Sequence, residues 1–281
     1  MDGSREAPPL ITASTAREIL EGHSWVSLDL GLTEVEVVQE GGRVILPGGR
    51  VVSHEDLELI GGREGGVFFP SGGEVFQVAI SDEHFYKLLA TGGAPTLEID
   101  GIRMHKTSGT TPELDARDKI ETLGVRGGSV LDTCTGLGYT AIACLRRGAG
   151  LVVSVELRPQ VLRIAEMNPW SRDVFVDERV HLTLGDAYAL VGCLPEGFFD
   201  YVVHDPPRLA RAGDLYGGEF YSRLFRVVRE GGRIYHYTGE PGSRYRGVDV
   251  RRGVMRRLRR AGFRGLVYRG GVLGVTGVRP G

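Results

Sequence analysis

The chain has 281 residues, 41% of them hydrophobic and 25% charged, with a formal net charge of −2. That size supports one large domain or two modest ones around a real core. It contains no run of about eighteen apolar residues, so no membrane-spanning helix is expected. MDGSREAPPL at the N-terminus lacks the basic-then-apolar pattern of a signal peptide. Cys134, Cys144 and Cys193 are scattered without metal spacing. No disulfide framework and no metal site are expected, and a reduced cytoplasmic setting fits best.

Lysine occurs only at Lys87, Lys106 and Lys119, and asparagine only at Asn168. Few thermolabile amides suggest a thermophilic source, although the arginine bias equally fits a GC-rich genome. Residues 1–105 carry 7 Lys/Arg and 17 Asp/Glu, a balance of −10, which leaves 27 and 19, or +8, for the remainder. A polyanionic partner would meet the C-terminal part. Mutual attraction of the two halves is an equal alternative.

ITASTAREILEG (11–22) has helical spacing, with Thr12, Ser14 or Thr15 as N-cap. Short β-like runs follow (WVSLDL, EVEVV, GRVILP, GVFFP, EVFQVAI), separated by Gly-Gly turns. SHEDLELIG and SDEHFYKLLA read as short helices, each N-capped by serine. Residues 1–105 are therefore expected to form a small β-rich domain. From 106 to 281 the pattern alternates. Helices are expected at DARDKIETLG, TAIACLRRG, PQVLRIAEMN, EFYSRLFRVVREGG and RRGVMRRLRRAGF. Strands are expected at GSVLD, LVVSVEL, VHLTLGD, FFDYVVH and RIYHYTG, with a closing hairpin at LVYRGGVLGVTGV. This rhythm predicts a doubly wound, mostly parallel α/β sheet, in which ligands sit beyond the C-terminal strand ends.

Three signals lie at successive strand ends. In VLDTCTGLGY (130–139), Gly136 and Gly138 occupy the first strand-to-helix turn, where backbone can approach a ligand closely. Glu156 ends the second strand, where a carboxylate can accept both hydroxyls of a ribose. Asp186 ends the third and can accept from an adenine amino group. Each alone reads as a turn or a cap; together they outline a nucleoside-shaped site.

This order resembles the class I S-adenosylmethionine (AdoMet)-dependent methyltransferases over about residues 106–281. The resemblance implies AdoMet as cofactor, held by Asp132, Thr133, Gly136, Gly138, Tyr139, Glu156, Leu157, Asp186 and Ala187. Cys134 stands where that family commonly has glycine. RMHK (103–106), GLGYTAIA, NPWS (168–171), HDPPR and HYTG also make the chain similar to a predicted archaeal methyltransferase family.

HDPPR ends the fourth strand. Methyltransferases acting on exocyclic amines often carry Asp/Asn-Pro-Pro-aromatic there. Asp205 can accept one amine hydrogen and the Pro206 carbonyl the other, with Pro206 and Pro207 holding the backbone extended. The nitrogen lone pair is then aimed by positioning. Arg208 replaces the aromatic, so stacking on a base would fall to Tyr216, Tyr221, His236, Tyr237 or Tyr235, or to Arg208 itself. Asn168 and Trp170 of NPWS either line the site or end a helix and pack. His105 of MHK either covers the cofactor or is structural.

The leading expectation is an AdoMet-dependent N-methyltransferase acting on an exocyclic amine of a nucleobase, with RNA favoured over DNA because its loops present unstacked bases cheaply. The alternative is transfer of aminopropyl from decarboxylated AdoMet, or methylation of a small molecule. The small β-rich domain and the run GDLYGGEFYSRLFRVVREGGRI resemble the spermidine synthases, but HDPPR replaces their acid-rich segment. Dimerisation is among the roles open to residues 1–105, and the basic stretch RRGVMRRLRR could track phosphates.

Overall fold

The computed structural model describes residues 8–207, 213–239 and 250–281. The chain divides into two compact units: Met1–Pro112 with Gln160–Arg172, and Glu113–Pro159 with Asp173–Gly281.

The first unit consists of small antiparallel sheets and two short helices. Sheet orders include Ile11–Thr12 beside Val67–Ser71 beside Glu74–Gln77, and a four-stranded sheet ending on Ile102–Arg103. Helix Ala13–Leu20 is capped by Thr12, whose hydroxyl accepts the Thr15 N–H at 3.2 Å. Ser53 caps helix His54–Gly61 through the Asp56 N–H at 3.0 Å, with Glu55 and Asp56 in the first turn. The expected helix in SDEHFYKLLA is a strand, Phe85–Leu89. Its burial alternates from Phe85 to Leu88, a period of two, and Lys87 pairs across the sheet with Glu98 at 2.9 Å. The unit also extends past 105, to Pro112, and the segment Gln160–Arg172 belongs to it rather than to the second unit; at the expected limit His105 shares a hydrogen bond of 3.0 Å with Thr96.

The second unit is one seven-stranded sheet: β1 (Ser129–Asp132), β2 (Leu151–Glu156), β3 (Val180–Leu184), β4 (Phe199–His204), β5 (Val228–Tyr237), β6 (Arg264–Arg269) and β7 (Gly274–Val278). The spatial order is β3-β2-β1-β4-β5-β7-β6; β1 to β5 are parallel and β7 is antiparallel to both neighbours. Helices cover both faces. On one, α1 (Pro112–Leu123) and α2 (Tyr139–Arg146) set Ile120, Leu123, Ile142 and Leu145 against Val130, Val152 and Val203. On the other, Phe220, Leu224, Val254 and Leu258 of Gly218–Val227 and Val250–Ala261 pack on Val202, Ile234 and Val275. This is the doubly wound sheet that the alternation implied, and its order reverses between β1 and β4. The helix expected through VVREGG stops at Val227. Val228 already pairs with Phe199, and Gly231 takes a left-handed φ of 75°. Among the described residues no helix is long and apolar enough to cross a membrane.

Candidate active site

Strand direction in the second unit gathers the chemistry at one edge. Asp132 ends β1, Glu156 ends β2, Asp186 follows β3, Asp205 follows β4 and Tyr237 ends β5. The turn after β1 is tied to both neighbouring strands, through Thr133 N–H to the Val203 carbonyl (3.1 Å) and Thr135 N–H to the Val155 carbonyl (2.9 Å). Gly136 and Gly138 then take left-handed φ values of 54° and 79°. A Cβ on Gly138 would overlap Val174, so the turn needs glycine for both space and conformation. Tyr139 is the buried first residue of α2.

Glu156 binds this turn directly. One oxygen accepts the Gly136 N–H at 2.9 Å and the other the Arg158 N–H at 3.0 Å. Burial pushes its carboxyl up despite these bonds. Each oxygen keeps a further lone pair, which suits a diol. Asp132 is fully enclosed. Its Oδ2 accepts from the hydroxyls of Thr140 (2.9 Å) and Ser154 (3.1 Å). Desolvation, opposed by those hydroxyls and reinforced by the Asp205 charge, lifts its pKa to about 7. Burial and the charges of Glu156, Asp132 and Asp205 raise the Cys134 thiol well above its ordinary value. Asp186 is exposed; one oxygen caps the helix Ala187–Cys193 through the Tyr188 N–H at 2.8 Å. Ala187 is buried behind it, and Leu157 is exposed beside Glu156.

The corner after β4 is built around an ion pair. Lys119 on α1 reaches Asp205 Oδ2 at 2.6 Å and Asp115 Oδ2 at 2.8 Å, with its ammonium 5.0 Å from the centre of the Tyr237 ring. Lys119 and Asp115 are 8% and 7% exposed, whereas Asp205 is 20% exposed. Pro206 is buried and Pro207 exposed. The Tyr216 hydroxyl donates to the Pro207 carbonyl at 3.1 Å.

Behind the corner, parallel pairing puts His204 opposite His236, with ring centres 4.4 Å apart. His204 Nε2–H donates to the Leu215 carbonyl (2.9 Å), leaving Nδ1 to accept from Thr133 (2.6 Å). His236 Nδ1–H donates to the Tyr237 carbonyl, leaving Nε2 to accept from Tyr221, both at 2.6 Å. Burial lowers His204 to about 4 and His236 well below its ordinary value, so both rings are neutral.

This corrects several expected substrate contacts. Tyr221, Tyr235 and His236 are enclosed in the core, and Tyr216 is 3% exposed; they are struts and cannot stack on a ligand as they stand. Of these aromatic candidates only Tyr237 stays half-buried. Asn168 and Trp170 lie in the first unit. The Asn168 side chain accepts from Trp170 N–H and donates to Ser171, and the Trp170 indole donates to the Leu30 carbonyl at 3.0 Å. Asn168 is buried and Trp170 half-buried there. Arg208 lies outside the described residues. Lys119 and Asp115 were missed, although their four-residue spacing and the scarcity of lysine were visible.

No protein-family model matches the chain. The uncharacterized protein MJ1233 of Methanocaldococcus jannaschii is 44% identical over 278 residues, covering 96% of this chain and 95% of that one. A polyamine aminopropyltransferase of Thermoplasma volcanium is 28% identical over 176 residues, 62% of this chain and 62% of its own length. Among solved structures, a spermidine synthase in complex with the transition-state analogue AdoDATO has a TM-score of 0.59 at 19% identity, over 72% of this chain and 73% of that one. That likeness shows a shared Rossmann-type fold.

Proposed function

The chain belongs to the same family as the M. jannaschii protein MJ1233, and from the site itself we propose that it transfers an alkyl group from an AdoMet-type sulfonium to an amine nitrogen held at Asp205. The observation that carries this is Asp205. It stands at the strand-order reversal beside the Gly136–Gly138 turn, ion-paired on one side and one-fifth exposed.

The residues present fit such a nucleoside: a half-buried Gly136 in a turn held by Glu156, Glu156 itself for a diol, and the exposed Asp186 for an amino group. When bound, the nucleoside supplies the alkyl group on positively charged sulfur. The remaining work falls to the chain. Asp205 accepts one amine hydrogen and fixes the lone pair. As the new N–C bond forms and the C–S bond breaks, positive charge develops on nitrogen beside that carboxylate, which takes the released proton directly or through water.

Aminopropyl transfer is the finer reading that the Thermoplasma relative and the spermidine synthase fold favour. N-methyl transfer to an exocyclic amine, RNA included, is the second reading, favoured by the Asp-Pro-Pro corner. Calorimetry with AdoMet and decarboxylated AdoMet separates the two: tighter binding of the decarboxylated form is expected, and preference for AdoMet reverses the order. Asp205→Asn should slow transfer at least about 100-fold while leaving donor affinity within about threefold. An unchanged rate returns Asp205 to a structural role.

A further inference from the structure

An ammonium has three N–H bonds to satisfy. Those of Lys119 meet three partners: Asp205 Oδ2 at 2.6 Å, Asp115 Oδ2 at 2.8 Å and the face of Tyr237 at 5.0 Å. Two carboxylates and an aromatic face are what a primary alkylammonium ligand requires. The protein fills that cage with its own side chain. Burial alone would favour deprotonation, but the Asp205 and Asp115 charges outweigh it and keep Lys119 cationic well above neutral pH. Neither Lys119 nor Asp115 is open to solvent, whereas Asp205 is one-fifth exposed and Tyr237 half-buried.

We propose that Lys119 sets acceptor specificity: by occupying the cage of Asp115, Asp205 and Tyr237 it excludes the ammonium groups of free diamines and polyamines, so that the acceptor is an amine with no second ammonium beside it. With Lys119 present the three charged side chains sum to a single negative charge; without it they would sum to two and attract a dication. An amine on a neutral or anionic scaffold, such as an exocyclic amine of a nucleobase, meets these conditions under either alkyl group. The word acceptor rests on the amine-transfer reading of Asp205; the exclusion of ammonium does not.

The test is binding without turnover. Propylammonium chloride and 1,4-diaminobutane are titrated into wild-type protein, Lys119→Ala and Lys119→Met at fixed ionic strength. Propylammonium should bind Lys119→Ala at least about tenfold more tightly than wild type, whereas Lys119→Met, which leaves the same two carboxylate charges but refills the space, should bind it more weakly than Lys119→Ala. Equal affinity in wild type and Lys119→Ala, or no binding to a folded Lys119→Ala, overturns the proposal. If Lys119→Ala does not fold, wild type alone decides. Diamine binding that Asp205→Asn abolishes overturns the proposal, and its absence is the expected result. Donor affinity and turnover, measured separately, test the transferase reading, so the two can fail independently.

Discussion

Asp132 and His204 are buried titratable groups whose effects on stability run in opposite directions. The Asp132 pKa rises from 3.8 to about 7 on folding. Its contribution is complete below about 4 and is lost as pH climbs through 7. The His204 pKa falls from 6.5 to about 4. Its contribution is present above 6.5 and is lost as pH drops through 4. Urea unfolding from pH 4 to 8 should separate them. Asp132→Asn should steepen the rise of stability with pH, by a differential on the order of 2–4 kcal/mol across the window. His204→Gln should flatten that rise. Gly138 offers a third test at this scale. Gly138→Ala should cost about 2–4 kcal/mol, from left-handed strain and overlap with Val174. Measured against Val174→Ala alone, which has its own cavity cost, adding Gly138→Ala should leave only about 1 kcal/mol of strain, read as melting temperature. The glycines and strand-end acids were legible because their roles follow from local position in a strand–turn–helix unit. The Lys119 ion pair was not, because Asp205 lies 86 residues away and only the fold joins them. Tyr221 was misread as a platform although its neighbours Phe220, Leu224 and Val227 already marked a core-facing stripe.

Among the elements, β4 and β5 define the site. Their parallel register brings HDPP and HYTG, far apart in sequence, to adjacent strand ends. The hairpin β6–β7 supports β5 from the other side: Tyr235 donates to the Val272 carbonyl at 2.6 Å, and its ring lies where a Cβ on Gly274 would stand. Gly274→Ala should therefore lower the melting temperature by several degrees, equivalent to about 1–3 kcal/mol. If the melting temperature stays unchanged, the Tyr235 ring has room to yield. Periodicity identified most elements of the second unit, since strand and helix patterns there are long. It failed at Phe85–Leu89, where a serine and two acids imitate a helix start before an alternating strand, and at Val228, where the helix passes directly into β5.

At the scale of the whole molecule, composition divided the chain near 105, and contacts divide it at Pro112 with a second excursion over Gln160–Arg172. That excursion was illegible in the sequence, where a helix ending in Asn-Pro continues the α/β rhythm. It makes the first unit discontinuous, so the chain changes unit three times: after Pro112, Pro159 and Arg172. Neither unit is therefore a single gene segment. A fragment of residues 113–281 would carry thirteen residues whose partners, such as the Leu30 carbonyl under Trp170, remain on the missing piece. Such a fragment should be less soluble and less stable than the whole chain, as proteolysis and calorimetry would read. Recombination that swapped one unit for a foreign counterpart would need two coordinated exchanges rather than one, and the relative matched over 95% of its own length is consistent with two parts inherited as one.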